Sequence, residues 1–167
     1  IRAAMADARV DAVVAISPQG AGQFGSFDNG PTDNSWHSIA VPLFVMVGSE
    51  EQHGSSGGTV TGWQWRLFPF LRGSGAADAW LALLDGQDHG QMGNSGSDQV
   101  QEYIATNSRY FFDATLRGET QAAVLVGRQA WLPGTTLARR WSDPTRGPVI
   151  DRLEGWRRWD WQTSLTF

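Results

Sequence analysis

Apolar residues along this chain fall into short, unbroken runs separated by polar, glycine-rich stretches. Residues 10 to 17 read VDAVVAIS, residues 41 to 48 read VPLFVMVG, and residues 79 to 86 read AWLALLDG. Each run is strand-sized and is stopped by a turn signal: Ser17-Pro18, Gly48-Ser49, or Asp85-Gly86. Continuous rather than alternating apolar character suits a strand buried on both faces of a parallel sheet. Pro42 stands near the start of its run, where the ladder has barely begun.

Helical patterns occupy the intervals. Residues 2 to 8 have helical composition. Ser97 or Asp98 is a plausible N-cap for a helix whose Ile104, Phe111, Phe112 and Leu116 fall near one face, and Gly118 fits its C-terminal stop. Residues 119 to 126 predict a further helix. Residues 20 to 35 and 52 to 62 are turn-rich and carry no period, so they read as loops, and Pro69 argues against one long helix across WQWRLFPFLRG. Strand, crossover, strand, crossover, strand, helix is the order of an α/β fold with three parallel strands and helices packed on them. From Trp131 onward the pattern breaks down: Pro133, Pro144 and Pro148 punctuate a segment crowded with Trp141, Trp156, Trp159 and Trp161. Residues 128 to 167 are therefore expected to form an irregular, Trp-rich extension of unknown role to a domain covering residues 1 to 127.

Composition narrows the function classes. At 167 residues and 41% hydrophobic, the chain is long enough for one domain with a sizeable core. A net charge of -4 supplies no electrostatic footprint for nucleic acid. No apolar run approaches the ~20 residues of a membrane span. Cysteine is absent, which removes disulfides and thiolate metal sites and leaves the compartment open.

The chemistry-bearing residues cluster at run ends. Glu50 and Glu51 follow the second run, and Gln87, Asp88 and His89 follow the third. Ligands of open parallel sheets bind outside the carboxyl ends of the strands, so a carboxylate and a histidine at two such ends make two-thirds of a nucleophile–base–acid triad. Other motifs fail on context. Gly20, Gly22 and Gly25 spell G-x-G-x-x-G, but no helix follows to face a pyrophosphate. Gly54, Ser56 and Gly58 spell G-x-S-x-G, yet lack the strand before and the helix after that an elbow requires. Ser17 ends a strand, but Pro18 removes the amide an oxyanion hole would draw on. His37 and His53 lack ligand spacing, so no metal site is expected.

Taken together, SPQGAGQFG, SWHSIAVPLFVMVGSEE, WLALLDGQDHGQM and SRYFFDATLRG resemble the C-terminal part of α/β-hydrolases of the dienelactone hydrolase and bacterial carboxylesterase type. The resemblance spans residues 1 to 127. It implies a partial α/β-hydrolase fold holding the last three strands of the sheet, with Glu51 as the acid of a Gly-x-x-acid turn begun at Gly48, and His89 as the base. It further implies hydrolysis of a small-molecule carboxylic ester without a cofactor. Nucleophile and oxyanion loop would lie upstream of Ile1, so that this chain alone is inactive and pairs with the missing N-terminal half of the domain or with itself. Trp63, Trp65, Phe68 and Phe70, between acid and base, would line an acyl pocket or else fill core. The competing expectation is a non-catalytic α/β binding or structural module with triad remnants.

Overall fold

The computed structural model describes residues 7–18, 38–51, 62–73, 78–126, 132–143, 145 and 147–152. The helix expected over 2 to 8 lies largely outside them. So do the glycine motifs at 20 to 25 and 54 to 58, His37, His53, and the tryptophans at 131, 156, 159 and 161.

The architecture is α/β: a mixed sheet with flanking helices. In chain order the elements are β1 (Val13–Ile16), β2 (Leu43–Gly48), a 3-10 turn (Gly62–Leu67) running into α1 (Phe68–Arg72), β3 (Ala79–Leu84), α2 (His89–Met92), α3 (Asp98–Leu116), α4 (Thr120–Val126), β4 (Thr136–Asp143) and β5 (Gly147–Arg152). Spatial order follows chain order, β1-β2-β3-β4-β5. β1 runs parallel to β2 and β2 parallel to β3, with Leu43 opposite Ala79 and Gly48 opposite Leu84.

The unbroken apolar runs of β2 and β3 are explained by burial on both faces. Leu43, Val45 and Val47 join Ala79, Leu81 and Leu83 in one cluster, closed by Trp63, Leu67, Phe68 and Phe70. Phe44 and Met46 join Trp80, Ala82 and Leu84 in the other, closed by Val100, Tyr103, Ile104 and Phe111 of α3. The period-2 geometry of a strand sends neighbours to opposite faces, so a strand covered twice has no polar position. Phe111 sits with its ring centroid 5.7 Å from Phe44 and 5.5 Å edge-on from Trp80. Trp63, Phe68 and Phe70 thus serve as core under the sheet.

α3 begins where the sequence pattern begins it: the Ser97 hydroxyl accepts from the Val100 amide at 3.3 Å. It ends at Leu116, with Arg117 as its C-cap and then Gly118, whose φ of +70° is the left-handed conformation glycine adopts without penalty.

The expectation of an irregular extension is corrected over residues 136 to 143 and 147 to 152. β4 pairs antiparallel with β3, and β5 antiparallel with β4, extending the sheet by a hairpin. Its arginines disguise it. Arg139 stands opposite Trp80, with its guanidinium 5.1 Å from the Trp80 ring centroid and Nη2 donating to Asp78 Oδ2 at 2.5 Å. Arg140 is buried and donates from Nε to the Phe70 carbonyl at 2.7 Å; burial lowers its pKa, and Asp78 opposes that shift. Partnered this way, charged residues occupy a strand with no long apolar run. Pro148 is accommodated because β5 lies at the sheet edge.

Candidate active site

Because β1, β2 and β3 are parallel neighbours, their carboxyl ends lie side by side, and the residues just beyond them meet. The turn after β2 and the loop after β3 are fastened together. The Ser49 amide donates to the Leu84 carbonyl and the Glu50 amide to the Gln87 carbonyl, both at 2.9 Å. The Ser49 hydroxyl donates to Asp85 Oδ1 at 3.2 Å and accepts from the Gly86 amide at 2.8 Å. Only glycine fits at 48: a Cβ there would lie 2.1 Å from the Gln87 carbonyl oxygen.

The spacing from Gly48 to Glu51 has a local cause. The Glu51 amide donates to the Gly48 carbonyl at 3.3 Å, closing a turn, and the Gly48 amide returns a bond to Glu51 Oε1 at 3.0 Å. Glu51 therefore folds back under the strand end and is 1% exposed, whereas Glu50 points outward. Ser17, whose amide bonds the Met46 carbonyl at 2.8 Å, reaches the same carboxylate from the end of β1, its hydroxyl also donating to Oε1. On the other oxygen, Oε2, Glu51 meets two cationic or potentially cationic groups. Arg66 of the 3-10 turn pairs with it through Nε, and His89 Nδ1 lies 3.2 Å away. An ionised carboxylate only accepts, so a hydrogen bond across this contact to ionised Glu51 requires the imidazole proton on Nδ1, which leaves Nε2 as the basic nitrogen of neutral His89.

His89 is the first residue of α2, not a loop residue. Asp88 caps that helix reciprocally with Gln91: Asp88 Oδ1 accepts from the Gln91 amide, and the Gln91 side chain accepts from the Asp88 amide, each at 2.8 Å. The cap fixes the backbone that aims His89 and occupies the Asp88 carboxylate. The imidazole side chain is 62% exposed while that of Glu51 is fully buried. His89 opens on a cleft of about 520 Å³ lined with Glu50, Asp88, Gly90 and Ser95.

Of the residues singled out by sequence, the fold brings Glu51 and His89 together and leaves Glu50 and Asp88 outside their contact. Arg66 is the participant that the sequence reading passed over; its signal was a single guanidinium within the apolar stretch WQWRLFPF. Its side chain is 7% exposed. Burial lowers its pKa, and the charge and hydrogen bonding of Glu51 pull the other way. Ser17, discounted as a nucleophile, has its hydroxyl on the acid rather than on the histidine.

Chemically, the arrangement is an exposed imidazole in contact with a buried carboxylate, which can act as an oriented base. Among the described residues no hydroxyl is hydrogen-bonded to His89, and no group of three or more His, Cys, Asp or Glu is placed to hold a metal ion. Among the same residues no helix is long and apolar enough to cross a membrane. No protein-family model matches the chain, and neither does any curated protein.

Proposed function

We propose that this chain carries the acid and the base of a serine hydrolase acting on small-molecule carboxylic esters, in a partial α/β-hydrolase fold whose remaining strands belong to a preceding segment. The observation that carries the reading is the contact between His89 Nδ1 and the buried Glu51 carboxylate, with the rest of the imidazole open to a cleft at the strand ends. A serine delivered to Nε2 by the preceding segment attacks the ester carbonyl. His89 takes its proton, then returns it to the departing alkoxide; the cycle repeats with water to release the acid. Glu51 keeps the proton on Nδ1 and stabilises the imidazolium. No cofactor enters this scheme.

The test is an assay of p-nitrophenyl acetate hydrolysis by the chain extended through the coding sequence that precedes Ile1. Activity lost in His89→Ala, with a fluorophosphonate probe on a serine upstream of Ile1, is the expected result. The 167-residue chain itself should not exceed its own His89→Ala control, because on this reading the nucleophile and oxyanion hole come from the preceding segment. An extended protein without esterase activity, or with activity indifferent to His89→Ala, refutes the reading. Labelling of Ser56 would instead put the nucleophile inside this chain.

A further inference from the structure

Glu51 is a buried carboxylate with both oxygens engaged. Oε1 accepts from Ser17 Oγ and the Gly48 amide, and Oε2 faces Arg66 and His89. Three of these four groups are neutral when His89 is unprotonated, so between turnovers the charge of Glu51 is balanced by Arg66. An ionised carboxylate removed from water is tolerated only when paired and hydrogen-bonded; otherwise it takes up a proton. A protonated Glu51 would present an O–H to groups that otherwise donate to it; of these only the Ser17 hydroxyl and His89 Nδ1 can accept, and acceptance at Nδ1 moves the imidazole proton to Nε2.

Arg66 is held from the other side as well. Its Nη1 donates to the Ser17 carbonyl at 2.8 Å and to the Pro18 carbonyl at 3.0 Å. Ser17 has a φ of +44°, uncommon for a residue with a Cβ, and it precedes a proline, which disfavours helical backbone in the residue before it. Four bonds hold that turn: the Ser17 amide on the Met46 carbonyl, the Ser17 and Pro18 carbonyls on Arg66, and the Ser17 hydroxyl on Glu51. The guanidinium fork thus ties the end of β1 to the carboxylate at the end of β2.

We propose that Arg66 is a positioning residue for the acid–base pair: by keeping Glu51 ionised and aimed, it holds neutral His89 in the Nδ1–H tautomer that leaves Nε2 free to accept a proton. Arg66 acts through Glu51 and does not touch substrate. The inference rests on the reading of Glu51 and His89 as a working pair. Among the described residues the other charged groups facing His89, Glu50 and Asp88 on the cleft wall, contribute no contact to its Nδ1.

The readout is the imidazole ¹⁵N spectrum of the 167-residue chain above the midpoint of His89 titration, where chemical shifts distinguish the two neutral tautomers. The unmodified chain is expected to show mainly Nδ1–H. Arg66→Gln is expected to make Nε2–H the major form, and Arg66→Lys, which retains the charge, to restore Nδ1–H as the major form. Arg66→Gln with Nδ1–H still dominant overturns the proposal. Should Arg66→Gln fail to fold, the unmodified chain decides: the Arg66 Nε–H resonance should move with the midpoint of His89, and a resonance flat across that titration overturns the proposal. Glu51→Gln separates the two levels of inference. If it too leaves the tautomer unchanged, the Glu51–His89 pair itself is refuted; if it alone shifts the tautomer, the pair stands and Arg66 has no part in it.

Discussion

Gly48→Ala tests the means by which the fold builds this site. The new Cβ would lie 2.1 Å from the Gln87 carbonyl oxygen and 2.6 Å from its carbonyl carbon. Carbon–oxygen contacts do not close below about 3.3 Å, so the end of β2 and the loop after β3 must part by about 1 Å. Both sides are backbone, and neither can turn away as a flexible side chain would. The Ser49–Leu84 and Glu50–Gln87 bonds, each 2.9 Å, span that seam and would be stretched beyond useful length. Two such bonds at a net of about 1 kcal/mol each, together with overpacking at about 1–3 kcal/mol, place the loss at about 3–5 kcal/mol. The assay is urea unfolding followed by tryptophan fluorescence, read as a lower midpoint at unchanged slope. The same parting draws His89 away from Glu51, so the Nδ1–H tautomer should weaken even under conditions where the variant is fully folded. A Gly48→Ala chain within about 0.5 kcal/mol of the parent, an ordinary surface-substitution effect, would refute the close-approach argument.

Two further outcomes follow from the same geometry. Glu51→Gln in an active, extended protein should lower kcat by roughly 10⁴, the effect of turning a triad carboxylate into an amide, and should destabilise the fold by about 3–5 kcal/mol because Arg66 is left buried without its counter-charge; Glu50→Gln, on an exposed side chain, should do little to either, and equal losses in steady-state kinetics would show the acid role to be shared. Among the described residues β1 is a sheet edge with Ile16 42% exposed, so the 167-residue chain should associate in solution and Ile16→Lys should shift it toward monomer; light scattering that gives a monomer for the unsubstituted chain counts against an unpaired apolar edge.

The strands that carry the site were legible because double burial leaves a local mark. Residues 79 to 84 have no polar position, and β3 occupies those residues. The helix from Asp98 was legible through its cap and its closing glycine, both short-range devices. That Glu51 folds back under the strand end while Glu50 stays exposed also has a short-range cause, the bond from the Gly48 amide to Glu51 across three residues. The hairpin of β4 and β5 was hidden for the opposite reason. Arg139 and Arg140 look like surface residues until Asp78, Trp80 and the Phe70 carbonyl, some sixty to seventy residues earlier, are brought against them. Arg66 was hidden likewise, because a lone arginine among aromatics has no local partner to reveal its purpose; Glu51 lies fifteen positions before it and Ser17 forty-nine. Sequence periodicity records which side chains leave water, since burial imposes its period on neighbouring residues along an element. Pairing of charges across the sheet ends leaves no such period, and only the tertiary structure decided which carboxylate met which guanidinium, and that His89 would find Glu51 rather than Asp88 beside it.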